Sequence, residues 1–233
     1  MISQTPRVAS FFMAQIISTL DDAIEYLNTL YNFSSTPPTD EEEEYAVWTS
    51  LFNVAINLWE REALWEELIV WLADASDGDK LTVADTFEYD CPTDFRFHVG
   101  GWVWLGDNTN KEAYQVIKAK EVHLHHNDTE RWCYFLNGIL YFNPNLTFNG
   151  GETINYEYYK KASAVSGGTD VFEMSDPMFA VYFALSELKK DEGDSTAAQI
   201  ATQKLNKMVD ENDASGWFQP DNLMNKTEEG FGV

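Results

Sequence analysis

The spacing of apolar residues changes twice along this chain, and the order of those changes limits the folds open to it. From Ile16 to Tyr31, the residues Ile16, Ile17, Leu20, Ala23, Ile24, Leu27 and Leu30 recur at intervals of three and four. That period marks a helix with one buried face. The stretch from Ser34 to Thr39 contains Pro37-Pro38 and breaks the helix, because proline cannot donate to the helical ladder. Thr39 then opens a second helix, with Glu42 three residues on to complete a capping box. The acidic run Asp40 to Glu44 falls in its first turn, where the helix dipole favours negative charge. Trp48, Leu51, Phe52, Ala55, Ile56 and Trp59 carry this helix to about Glu62. A short segment, Leu64 to Leu72, follows with Trp65, Leu68, Ile69 and Trp71.

Beyond Asp74 the period drops to two, the repeat of a strand. Asp77-Gly78-Asp79 reads as a turn, and Leu81–Val83 and Phe87–Tyr89 alternate with polar residues. Phe95, Phe97, Val99, Trp102 and Trp104 continue the pattern, with Gly100-Gly101 as a bend or bulge. Tyr114 to His126 alternates strongly. Arg131–Leu136 and Ile139–Phe142 flank Asn137-Gly138, the favoured turn of a two-residue hairpin. Ile154–Tyr159 supplies a further strand.

The helical period then returns. Ser175 stands at a cap position with Pro177 in the first turn, followed by Phe179, Val181, Tyr182, Ala184, Leu185 and Leu188. Gly193 ends that helix, and Asp194 or Ser195 caps a last one reaching Met208 and Val209. Helices, strands and helices each form a contiguous block, which predicts an α+β fold and argues against a doubly wound βαβ sheet. The expected arrangement is a helical bundle body with an inserted antiparallel β-lobe. An N-terminal arm and helices would span residues 1–73, the lobe 74–162, a C-terminal helix pair 163–213 and a flexible tail 214–233.

Charge narrows the function classes. Asp and Glu total 39 against 15 Lys and Arg, a net charge of −24. Such a surface repels phosphate backbones and anionic membranes wherever salt does not screen it. Tight nucleic-acid binding is therefore disfavoured, and a surface past which DNA slides without sticking is compatible. Two cysteines, Cys91 and Cys133, are too few for a disulfide framework and read as reduced, packed thiols. The sequence shows no signal peptide and no apolar run of the length that spans a bilayer.

Few residue patterns suggest chemistry. Glu121, His123 and His125 would share one face if their segment is a strand, with His126 and Asp128 at a turn. Imidazoles and a carboxylate so placed could hold zinc or iron in a small metal-dependent β-barrel enzyme. Such a site needs a further ligand on a neighbouring strand, and the one other histidine is His98. Acidic pairs such as Asp21-Asp22 and Glu66-Glu67 arise from composition alone. Ser166-Gly167-Gly168 is no nucleophile elbow, and no phosphate-binding loop is present. Trp102 and Trp104 share a strand face and could stack on a sugar, or be buried at a core or subunit interface. The reading is of a protein with no catalytic, cofactor or metal site.

Two further segments carry a resemblance. Asn57-Leu58-Trp59-Glu60-Arg61-Glu62-Ala63-Leu64-Trp65 precedes the strands, and Glu88-Tyr89-Asp90-Cys91-Pro92-Thr93-Asp94-Phe95-Arg96 lies among them. The second resembles the Tyr-x-x-Pro-x-Asp-Phe segment of tailed-bacteriophage head-to-tail adaptor proteins of the tail tubular protein A type. Tyr158-Tyr159-Lys160, Ser175-Asp176-Pro177, Tyr182-Phe183-Ala184-Leu185 and Leu205-Asn206-Lys207-Met208 resemble that family's closing half, so the likeness spans about residues 45–212. It implies a virion structural protein at the neck between capsid and tail, made in the host cytoplasm. Its copies, twelve as the family usually has, would form a ring beneath the portal protein and receive tail or nozzle proteins below. DNA would pass through without sequence-specific binding, and no membrane would be involved. A tail-completion or tail-terminator ring is the alternative among virion proteins. The residues expected at interfaces are Trp102, Trp104, Tyr158, Tyr159, Lys160, Trp217, Phe218 and Phe231. The longer acidic stretch from Thr36 to Glu44 departs from the family pattern.

Overall fold

The computed structural model describes residues 17–74, 80–106, 112–125, 127, 129–147, 150–193 and 195–214. The protein is α+β, with helices and a curled seven-stranded sheet. It divides into two compact units. One takes in the chain up to Ala55, Val165–Phe172 and Asp176–Lys204; the other takes in Ile56–Ala164, Glu173–Ser175 and the chain from Leu205.

In the first unit, helix α1 spans Leu20–Tyr31. Its start is set by a capping box that periodicity did not reveal. The amide of Asp22 donates to Thr19 Oγ1 at 3.3 Å, and the amide of Thr19 donates to Asp22 Oδ2 at 3.0 Å. The helix therefore begins after Thr19, not at Ile16. Helix α2 spans Glu43–Glu62. Glu42 does reach back, accepting from the Thr39 amide at 2.6 Å, but residues 40–42 stay outside the helix, which starts at Glu43, three residues later than a Thr39 cap implies. Between the two helices the buried amide of Asn28 donates to the carbonyls of Ser34 and Thr36 at 2.9 and 3.0 Å. That satisfies a buried polar group and pins the Pro37-Pro38 loop.

Helix α4 spans Met178–Leu188 and helix α5 spans Thr196–Ala214; a one-turn helix, α3, is described with the sheet. The expected Ser175 cap is not used. Asp176 Oδ1 accepts from the Met178 amide at 3.1 Å, since the Asp-Pro pair brings that carboxylate to the free amides of the first turn. Helices α1 and α4 pack together, burying Leu20, Ala23, Ile24 and Leu27 from one and Phe179, Ala180 and Ala184 from the other. Trp48 and Phe52 of α2 are buried too, with Phe52 edge-on to Phe172 at 5.9 Å between ring centroids.

The second unit holds the sheet. Its strands are β1 (Ile69–Trp71), β2 (Glu88–Asp90), β3 (Phe95–Leu105), β4 (Glu112–Val116), β5 (Trp132–Leu136), β6 (Ile139–Phe142) and β7 (Ile154–Lys160). Their order is β1-β7-β3-β4-β5-β6-β2. Strands β5 and β6 meet at Leu136↔Ile139, joined by Asn137 and Gly138 with φ of 52° and 77°. Both residues sit in the left-handed region that this hairpin turn requires.

Two expectations are corrected here. Strands β4 and β5 pair in parallel, so the sheet is not wholly antiparallel. A parallel pair needs a crossover of a dozen or more residues. Residues 117–131 supply it, through a 3₁₀ turn at Ala119–Glu121 and helix α3 at Val122–His125. The strand expected from Tyr114 to His126 therefore ends at Val116. The segment Leu64–Leu72, which the sequence left without a clear form, becomes a 3₁₀ turn at Glu66–Leu68 and then β1.

One face of the sheet buries Val103, Leu105, Tyr114, Cys133, Leu140, Phe142, Ile154, Tyr156 and Tyr158 in a single cluster. At about 25 cal/mol per Å² of apolar surface removed from water, each large side chain there contributes roughly 1.5–3 kcal/mol. Both thiols are buried, and burial pushes the Cys91 thiol up to about 11. Among the described residues no helix is long and apolar enough to cross a membrane.

Candidate functional site

Strand β7 organises the surface of the sheet. Its even-numbered residues Ile154, Tyr156 and Tyr158 face the core. Its odd-numbered residues Asn155, Glu157 and Tyr159 face the other way, and exposure along them is graded. Tyr159 is fully buried, stacked on Phe97 at 4.9 Å, and its hydroxyl accepts from the Trp65 amide at 2.8 Å. Trp65 in turn stacks on Trp59 at 5.0 Å and donates its indole N–H to the Trp59 carbonyl. The end of α2 thus helps to close that part of the face. Glu157 is half-buried, and burial raises its carboxyl above the usual carboxylate range.

The face then opens onto tryptophans. Trp71 on β1 lies directly across from Glu157, and Trp104 on β3 directly across from Asn155. The Trp71 and Trp104 rings meet at 6.0 Å, tilted by 45°. Trp102, one pleat from Trp104, is 46% exposed, and Trp71 is 44% exposed. This presentation depends on the expected irregularity at Gly100-Gly101. The register to β7 shifts between Val99 and Trp104, and Gly100 has φ of 85°. A residue with a Cβ would be strained there. His98 closes the bulge from beneath, its Nε2–H donating to the Trp102 carbonyl at 3.3 Å. Its ring stacks on Phe135 at 4.7 Å, and burial holds its pKa down at about 4, so it is neutral.

The other expected residues fall elsewhere. Tyr158, like Tyr159, belongs to the interior: it is fully buried, and its hydroxyl donates to Asp94 Oδ1 at 2.8 Å. Two adjacent residues on a strand point to opposite faces, and here both faces are covered at that level. Lys160 is committed within the chain to Glu173, which also accepts from Ser163. Trp217, Phe218 and Phe231 lie outside the described residues, as do His126 and Asp128.

Helix α3, not a strand, carries His123 and His125. Two residues along a helix turn by about 200°, so the two imidazoles leave on opposite sides. His123 Nδ1 lies 2.9 Å from the Lys120 carbonyl, and the His125 ring lies 6.2 Å from that of Trp132. The shared ligand face of the metal-enzyme reading is thereby lost. Among the described residues no three His, Cys, Asp or Glu side chains are placed to share a metal ion.

Two features escaped the sequence reading. Trp71 was hidden in a segment too short to show a period. The second is the outer face of α2. Beside its buried face, this helix leaves Val47 45%, Val54 44% and Leu58 41% exposed, with Leu51 half-buried. Val47, Leu51, Val54 and Leu58 are spaced by four, three and four, the repeat of a helix-pairing seam. Such a stripe was legible, but the tryptophans at Trp48 and Trp59 dominated the pattern. A scan against protein-family models finds no match to the chain, and no curated protein matches its sequence.

Proposed function

We propose that this chain is a non-enzymatic virion structural protein, a head-to-tail adaptor. Its copies form a ring, twelve by family habit, that docks beneath the portal and joins capsid to tail around the DNA channel. In this reading the N- and C-terminal helices build the ring body, and the strand residues form a lobe reaching neighbouring proteins. The observation that carries it is the outward apolar seam of α2. A helix that has already satisfied one face against its own core, yet displays a second apolar stripe at coiled-coil spacing, is built to meet another helix. The net charge of −24 suits a conduit wall, because repulsion keeps DNA from adhering. The same charge opposes association of free copies, so the ring forms on the portal as template.

Negative-stain imaging of the protein mixed with the portal of its virus tests this. The expected image is a second ring stacked on the portal. Val54→Asp, a change at an exposed position, removes that ring while the circular dichroism spectrum is unchanged. A portal that stays bare in excess protein overturns the proposal.

A further inference from the structure

We propose that Trp71, Trp104 and Glu157 form a receptor for an arginine side chain presented by a basic protein partner. The inference rests on the sheet register and is independent of the adaptor reading. Glu157 and Asn155 share one face of β7; Trp71 stands across from the first and Trp104 across from the second. Directly opposed residues have Cβ atoms about 5 Å apart, and diagonal ones about 7–8 Å. Trp71 therefore stands directly across from Glu157 and Trp104 diagonal to it, on the strands that flank β7, and the two rings meet at 6.0 Å.

This carboxylate is unlike the others of the surface. It is half-buried, and burial is the one influence that shifts it. Among the described residues no hydrogen bond reaches it and no cation pairs with it, whereas Arg96 pairs with Glu60, Lys160 with Glu173 and Arg131 with Glu112. A partly desolvated, unpaired anion is a standing cost that a fitting cation removes. The flat indoles define which cation. A guanidinium stacks its plane on tryptophan while donating two parallel bonds to a carboxylate; an ammonium does only the electrostatic part. Trp102, exposed one pleat away, gives the rim an apolar surface for the residues flanking the arginine. The chain's net charge of −24 favours approach of a basic protein and repels nucleic acid.

The test uses the full chain and an acetylated, amidated Gly-Gly-Arg-Gly-Gly peptide, with lysine and citrulline versions beside it. The readout is the shift of the indole N–H resonances, assigned with Trp71→Phe and Trp104→Phe. The arginine peptide is expected to move the Trp71 and Trp104 signals. The lysine peptide should bind more weakly, and the citrulline peptide, which keeps the shape without the charge, weaker by about tenfold. Glu157→Gln should lower arginine-peptide affinity by a similar factor. Equal binding of arginine and citrulline peptides to the unaltered protein overturns the proposal without recourse to any variant. So does Glu157→Gln with unchanged affinity. Neutral oligosaccharides moving the same indoles, irrespective of Glu157, would make the face a sugar platform instead and equally overturn it.

Discussion

Two pairs of aromatic residues on the same sheet have opposite fates. Tyr158 and Tyr159 are adjacent on β7 and both fully buried; Trp102 and Trp104 alternate on β3 and stand at the surface, Trp102 46% exposed. In the sequence the four look alike, as large amphipathic rings in a strand pattern. Their neighbours separate them. Tyr159 lies where Trp65 and Phe97 cover the odd-numbered face, and Tyr158 lies over the core with Asp94 to receive its hydroxyl proton. Trp102 and Trp104 follow the Gly100-Gly101 bulge, past the reach of that cover. An exposed tryptophan is costly surface in water, and one flanked by a second is a binding feature more than a structural one.

The sharpest way to break this contrast is to truncate one ring from each class. Tyr159→Ala removes a ring stacked at 4.9 Å and leaves the Trp65 amide without its acceptor. Urea unfolding should show a loss of about 3–5 kcal/mol, against a loss of roughly 1–3 kcal/mol for Tyr159→Phe, which keeps the packing and deletes the acceptor alone. A loss under 1 kcal/mol for the alanine variant would mean that the face is not closed there.

An effect of intermediate size comes from the histidine at the hinge between the two regions. Burial depresses the His98 pKa from 6.5 to about 4, while its bond to the Trp102 carbonyl works weakly the other way. The folded state thus holds fewer protons than the unfolded one between those values, and stability falls as pH drops through 6.5 toward 4. The loss at pH 4 is roughly 3 kcal/mol at 1.36 kcal/mol per pH unit. Urea midpoints measured from pH 7 to pH 4 should carry this slope, and His98→Phe should remove it. An identical slope in the variant would place the titration elsewhere.

The smallest effect should be at Trp102. Trp102→Ala is expected to cost about 1 kcal/mol, because Trp102 is 46% exposed and only part of its apolar surface is withdrawn from water. A loss comparable to that of Tyr159→Ala would erase the distinction between the two regions.

Local rules in the sequence located much of this. Asn137-Gly138 specified a hairpin whose strands end within a residue of expectation, because only such residues tolerate the left-handed turn. The Gly100-Gly101 bulge was legible for the same reason. The period of α2 was legible along its length, since a buried helical face repeats every three to four residues. Where local preference was weak, the reading failed. Tyr114 to His126 alternates like a strand, yet beyond Val116 the chain leaves the sheet through a 3₁₀ turn and helix α3, and β5 then pairs parallel to β4. Ile69–Trp71 shows no period over three residues and becomes a strand because β7 offers it an edge.

The chain alone determined its α+β class, its Asn137-Gly138 turn and its acidic composition, since those depend on side-chain chemistry and on backbone preferences a few residues long. The fold decided which aromatic rings were hidden and which were left open, and it set Glu157 on the sheet face that carries Trp71 and Trp104. Those outcomes depend on strand register and on what lies across from each residue, and such pairings join positions far apart in the chain that no local pattern encodes.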